Sequence, residues 1–174
     1  MNTIQWDFIS ECEGKGITQG YQPTPNSGVT IATGFDLKEK DVEFCRSIEI
    51  PESIIKTLEQ FFGISGENAS DAAHQLILTV QEVLEIDICS KKYYSKNLIT
   101  QFNNLNPVVK FEELTSAQQT VLASVGFQYG SYSRTPTFIN YASQGDWQKV
   151  YEELNNFGDA FSTRRKKEAE LLNG

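Results

Sequence analysis

Glu11, Glu13, Thr30, Thr33 and Asp36 all fall within ECEGKGITQGYQPTPNSGVTIATGFDL, residues 11–37. These residue types suit hydrolysis of a glycosidic bond. That reaction needs one carboxyl carrying a proton to the leaving oxygen and a second carboxylate directing a water, helped here by a hydroxyl. Glu13 suits the first role: it stands at the last turn of a helix predicted over residues 3–13, beside the apolar Trp6 and Ile9. The helix dipole and the apolar surroundings both favour the protonated acid. Glu11 lies about 200° away round the helix, so only one of the two can face a site, and Glu11 reads as a solvated surface charge. Thr30 and Asp36 share one face if the strand between them is regular, although Gly34 can bend it. Spacing alone leaves a plainer reading open, because a Glu at a helix end is an ordinary surface charge and an Asp before a helix an ordinary N-cap.

The elements that must hold these groups follow from local signals. Thr3 is a suitable N-cap for the first helix, Ile4, Phe8 and Cys12 form its apolar stripe, and Gly14 stops it. Residues 15–37 are too rich in Gly, Pro and Asn for a helix, and GVTIATGF over 28–35 alternates and is β-branched, as a strand of a small hairpin or meander. Beyond Leu37 the chain reads as helical. PESIIKTLEQFF places Pro51 in a first turn. A long helix opens with Thr79 and Glu82 at capping-box spacing, and LTSAQQTVLASVGFQYG opens the same way with Thr115 and Gln118. The second of these is apolar nearly all round, with Phe127 in the core, and so belongs at the centre of a helical lobe. Shorter helices are expected at about 136–143, 146–156 and 160–172. The expected fold class is α+β: one domain over 1–174, with a β-rich part at about 15–37, a long connecting helix and a larger helical lobe (about 80–174 plus 3–13). The cleft is expected between the lobes.

Composition excludes several other functions. The net charge of −8 opposes binding to nucleic acid, which depends on Lys and Arg neutralising phosphates. No apolar run is long enough to span a membrane, and the acidic N-terminus lacks the basic start of a signal peptide. The three cysteines, Cys12, Cys45 and Cys89, have no metal-binding or redox spacing and read as reduced, half-buried thiols. The single His74 reads as an exposed helix residue. No metal or cofactor is expected, and the protein is expected to be a monomer.

The same residues carry a resemblance. ECEG followed by GYQPTPNSGVTIATGFDL resembles the catalytic start of phage-type lysozymes, and SGVTI..GFDL is similar to the muramidase domains of pesticin-like bacterial toxins and type VI secretion effectors. LTVQEVLEIDI, LTSAQQTVLASVGFQYG, GDWQKVYEEL and STRRKKEAELL resemble further segments in the family's order. The resemblance implies a lysozyme-like fold and a muramidase that cleaves the β-1,4 bond between N-acetylmuramic acid and N-acetylglucosamine of peptidoglycan by inversion. Glu13 matches the general acid, and Thr30 the hydroxyl residue that positions water. Thr24 stands where phage enzymes carry the second acid, and Asp36 matches the aspartate of the pesticin-like branch. Glu11 and Thr33 are then bystanders. Either Arg164 or Arg165 matches the arginine that pairs with the catalytic Glu, and Gln128 falls where the family lines its cleft.

The resemblance further implies an antibacterial effector acting in the periplasm or cell wall of a target cell, with a secretion carrier and a cognate immunity protein as partners. A phage or prophage endolysin, an inactive peptidoglycan-binding module on the same scaffold, and an enzyme acting on chitin are the alternatives. The acidic charge departs from the basic character of many wall-binding lysozymes.

Overall fold

In a computed structural model that describes residues 3–13 and 16–173, the chain forms a mixed fold, mostly helical with one small antiparallel sheet. Two compact units arise. One holds the residues up to Cys12 and those from Tyr94 on, and the other runs Glu13–Tyr93. Gly14 lies outside the described residues. No described helix is long and apolar enough to cross a membrane.

The Glu13–Tyr93 unit carries the sheet, with strands β1 (Ile17–Tyr21), β2 (Thr30–Ala32) and β3 (Phe35–Asp36) in the order β1-β2-β3. The expected single strand over 28–35 is in fact two strands folded into a hairpin. Its tip takes left-handed backbone at Ala32 (φ 56) and Gly34 (φ 82), which turns the chain back on itself. Thr30 consequently pairs with Asp36, and Ile31 with Phe35. Val29, Ile31 and Leu37 bury completely in a core shared with the helices that follow. All three strands fall within the expected β-rich part at about 15–37, and helices follow it in the same unit.

Among those helices are α2 (Val42–Ser47), α3 (Glu52–Leu58) and α4 (Glu67–Ala73). The N-cap of α2 is Asp41, whose side chain accepts from Phe44 N at 2.7 Å, so Asp36 is not a helix cap. Pro51 is the N-cap of α3 rather than a residue of its first turn. His74, at the C-cap of α4, is exposed. Helix α5 (Val80–Asn104) begins at the expected capping box: Glu82 N donates to Thr79 Oγ1 at 3.2 Å, and Thr79 N to Glu82 Oε2 at 2.8 Å.

The other unit contains α1 up to Cys12 (the helix runs Trp6–Glu13), α6 (Ser116–Tyr129), α7 (Pro136–Ser143), α8 (Trp147–Asn155) and α9 (Ser162–Asn173). The Thr115–Gln118 capping box starts α6, and Gly130 at φ 71 ends it. Buried residues run round most of α6, from Gln119 to Gly126, which makes it the central helix of this unit. Phe127 is partly buried against that core, with its ring 5.9 Å from Trp6.

Candidate active site

Glu13 is the last residue of α1, with its side chain only 15% exposed. Lys91 Nζ, on α5, lies 2.9 Å from Glu13 Oε2 and is itself 9% exposed on its side chain. A pair so withdrawn from water is held by direct charge attraction that solvent screens little. Glu11 is exposed, as its position round the helix requires.

The hairpin brings Thr30 and Asp36 together by a different route from the one alternation implies. They stand on opposite strands in direct register, where cross-strand side chains on one face are neighbours. Gly28 joins them. Its N–H donates to both Asp36 oxygens at 3.2 Å, and its carbonyl accepts from Thr30 Oγ1 at 3.2 Å. Lys38 N adds a second backbone donor to Asp36 Oδ1 at 2.9 Å. Only glycine fits at position 28, since a Cβ there would lie 2.7 Å from Asp36 Oδ1 and 2.9 Å from the Ile64 carbonyl oxygen. The Asp36 carboxylate is thus fixed by backbone donors, while the Thr30 hydroxyl, 1% exposed, directs its proton to Gly28 and keeps lone pairs to accept with.

Sequence reasoning missed Asp87 and Lys91 on α5. Asp87, 9% exposed, accepts from Thr33 N at 3.0 Å and from Thr33 Oγ1 at 2.7 Å. Thr33 at the hairpin tip therefore has a specific partner. Tyr21, opposite Thr30 on β1, has its phenol pKa raised by burial and by the Asp87 and Asp36 charges, with a Gly34 backbone hydrogen bond acting the other way. The available signal was spacing: Asp87 and Lys91 continue the line of Val83 at four-residue intervals, which places charges on a stripe whose first member is buried.

Arg164 and Arg165 are both buried in α9. Arg164 donates from Nη2 to Ser124 O at 3.0 Å and to Ser124 Oγ at 2.9 Å, and from Nε to Glu168 Oε1 at 3.2 Å. Arg165 Nε donates to Asp159 Oδ2 at 2.9 Å, and its Nη1 forms a short ion pair with Glu168. Burial alone disfavours the Arg165 cation. The Glu168 and Asp159 carboxylates outweigh it and hold the pKa above the ordinary value. Glu168, fully buried between the two arginines, was legible only as three- and four-residue spacing along α9. Gln128 is half-buried, and its Oε1 makes no hydrogen bond among the described residues. Arg165 Nη2 is in the same position. No three or more His, Cys, Asp or Glu side chains converge as a metal site among the described residues.

No curated protein matches the chain in sequence. A family does: the sequence model for Pesticin, described as the C-terminal part of a bacterial toxin homologue of phage lysozyme, matches residues 3–148. That span takes in Glu13, the hairpin, α5 and α6, so the chain belongs to this family of phage-lysozyme-like, muramidase-type peptidoglycan hydrolases.

Proposed function

We propose that the protein hydrolyses the β-1,4 bond between N-acetylmuramic acid and N-acetylglucosamine in peptidoglycan, with inversion at the anomeric carbon. Glu13, once it has taken up a proton, gives it to the leaving oxygen as the glycosidic bond breaks. A water held by Asp36 and Thr30 adds from the opposite face and gives its own proton to Asp36. The observation that supports this reading best is the Thr30–Asp36 pair. A carboxylate and a hydroxyl face each other across the β2–β3 ladder, and both are fixed by the Gly28 peptide. Fixing them beforehand lowers the reorganisation needed at the moment of reaction.

An antibacterial toxin delivered into a target cell's periplasm is the biological role this activity fits best, with an immunity protein guarding the producer. Mass spectrometry of purified peptidoglycan after incubation tests the chemistry. Reducing N-acetylmuramic acid ends support it, whereas anhydro ends mean a lytic transglycosylase.

One observation favours a second reading, a peptidoglycan-binding module without turnover. Thr30 is 1% exposed, and backbone donors already occupy both Asp36 oxygens, as in residues that serve only to lock a turn. Co-sedimentation with peptidoglycan but no released fragments would select it.

A further inference from the structure

The tip of the hairpin is a place where the backbone needs outside help. Ala32 at φ 56 takes a conformation that L-residues disfavour, and Gly34 follows at φ 82. Thr33, between them, is exposed, yet both its amide and its hydroxyl donate to one buried carboxylate, Asp87. One helical turn further along α5, Lys91 meets Glu13. Gly16 also lies hard against this face. A Cβ at Gly16 would overlap Val83 Cγ1 and come 3.0 Å from Asp87 Oδ2, and a side chain there would displace the carboxylate.

From this arrangement we infer that Asp87 is a positioning residue. It fixes the tip of the hairpin bearing Thr30 and Asp36 to the same face of α5 whose Lys91 holds Glu13. The inference rests on the muramidase reading for its catalytic consequence, and on the Asp87–Thr33 contact for its structural one. Asp87 touches no reacting atom. It sets where the water-holding pair stands, and a displacement of about 1 Å there is enough to cost on the order of a hundredfold in rate.

Two readouts test this. In hydrogen exchange, Asp87→Ala should speed exchange of the Thr33 amide at least about tenfold, while the Leu37 amide, bonded to Val29 O at 2.9 Å, stays protected. In steady-state hydrolysis of soluble peptidoglycan fragments, Asp87→Ala should lower kcat about 10- to 100-fold with KM within about twofold. Asp87→Asn should recover to within about threefold of the parent, because its amide oxygen still accepts from Thr33 N–H and its NH₂ donates to Thr33 Oγ1. Adding Thr33→Val to Asp87→Ala should bring no further loss, since Asp87→Ala already removes the acceptor of the Thr33 hydroxyl. If Asp87→Ala does not fold, Thr33→Val alone decides, with a kcat about 3- to 10-fold lower at constant KM expected.

Unchanged Thr33 exchange, a parental kcat in a folded contact-breaking variant, multiplying losses in the double variant, or an Asn variant as impaired as Ala would each overturn the inference. A parent inactive on peptidoglycan would instead sink the muramidase reading, and the exchange result would still decide whether Asp87 pins the tip.

Discussion

Lys91 Nζ stands 2.9 Å from Glu13 Oε2, and this ion pair joins residues far apart in the chain at the point where acid catalysis is proposed. It changes what a substitution at Glu13 should do. Glu13→Gln removes the proton donor, and hydrolysis should fall about 10²- to 10⁴-fold. The same change takes a counter-charge from Lys91, so stability should drop by about 1.5–3 kcal/mol, the usual worth of a hydrogen bond to a charged group. Denaturant melts of Glu13→Gln, Lys91→Met and the double variant check this. The double variant should lose less than the two singles summed. Glu11→Gln, at an exposed position, is the control and should be close to silent in both assays.

Gly28 should be intolerant of any side chain. Gly28→Ala places a methyl group 2.7 Å from Asp36 Oδ1, and the carboxylate must move from its two backbone donors. We expect kcat for peptidoglycan to fall at least about tenfold, comparably to Asp36→Asn, because both disturb the same water-holding carboxylate. A Gly28→Ala enzyme with parental kcat would remove Asp36 from that role.

Stereochemistry is a separate check on Asp36. Proton NMR of the first product from a β-linked substrate should show the α-anomer, since inversion follows from a water added opposite the leaving group. A β-anomer appearing first means retention and a covalent intermediate, and Asp36 would then not be a water-holding base.

Glu168 should matter more to folding than its neighbours suggest. Glu168→Gln keeps shape but leaves the buried Arg165 and Arg164 cations short of one negative charge. Breaking a buried ion pair in this way costs about 3–5 kcal/mol, which a shift in urea midpoint would report.

Burial pushes the Cys45 thiol up from 9.0 to about 11, with the Lys40 charge opposing the shift and Asp41 adding to it. A thiol raised in the folded state contributes stability that is fully present below its unfolded value and is lost as pH rises through the folded one. Stability measured by denaturant should therefore decline between about pH 9 and 11, and Cys45→Ser should flatten part of that decline. The serine itself should cost about 1–3 kcal/mol at neutral pH by burying a hydroxyl. A disulfide found by intact mass under non-reducing conditions would contradict the three free thiols.

What the sequence determined alone was whatever local chemistry specifies. Thr79 with Glu82 and Thr115 with Gln118 announce two helix starts, because a capping box is complete within four residues. The turn residues of 15–37 exclude a helix there, and the spacing round α1 separates Glu13 from Glu11 without reference to the rest of the molecule. Residue type and spacing already marked Thr30 and Asp36 as candidates, and resemblance matched them to roles, but neither specified the way they meet. Alternation along one strand implied a shared face. The structure achieves the pairing by folding the strand back at Ala32, an L-residue in a backbone conformation that its own type disfavours and that only surrounding contacts can hold. Tertiary packing also decided which charges lose their water. Lys91, Asp87 and Glu168 look in the sequence like ordinary charges on helices, and their importance comes from partners chosen by packing. An ion pair or buried hydrogen bond depends on distance in space and on desolvation, and outside one helical turn neither is written in the spacing of residues.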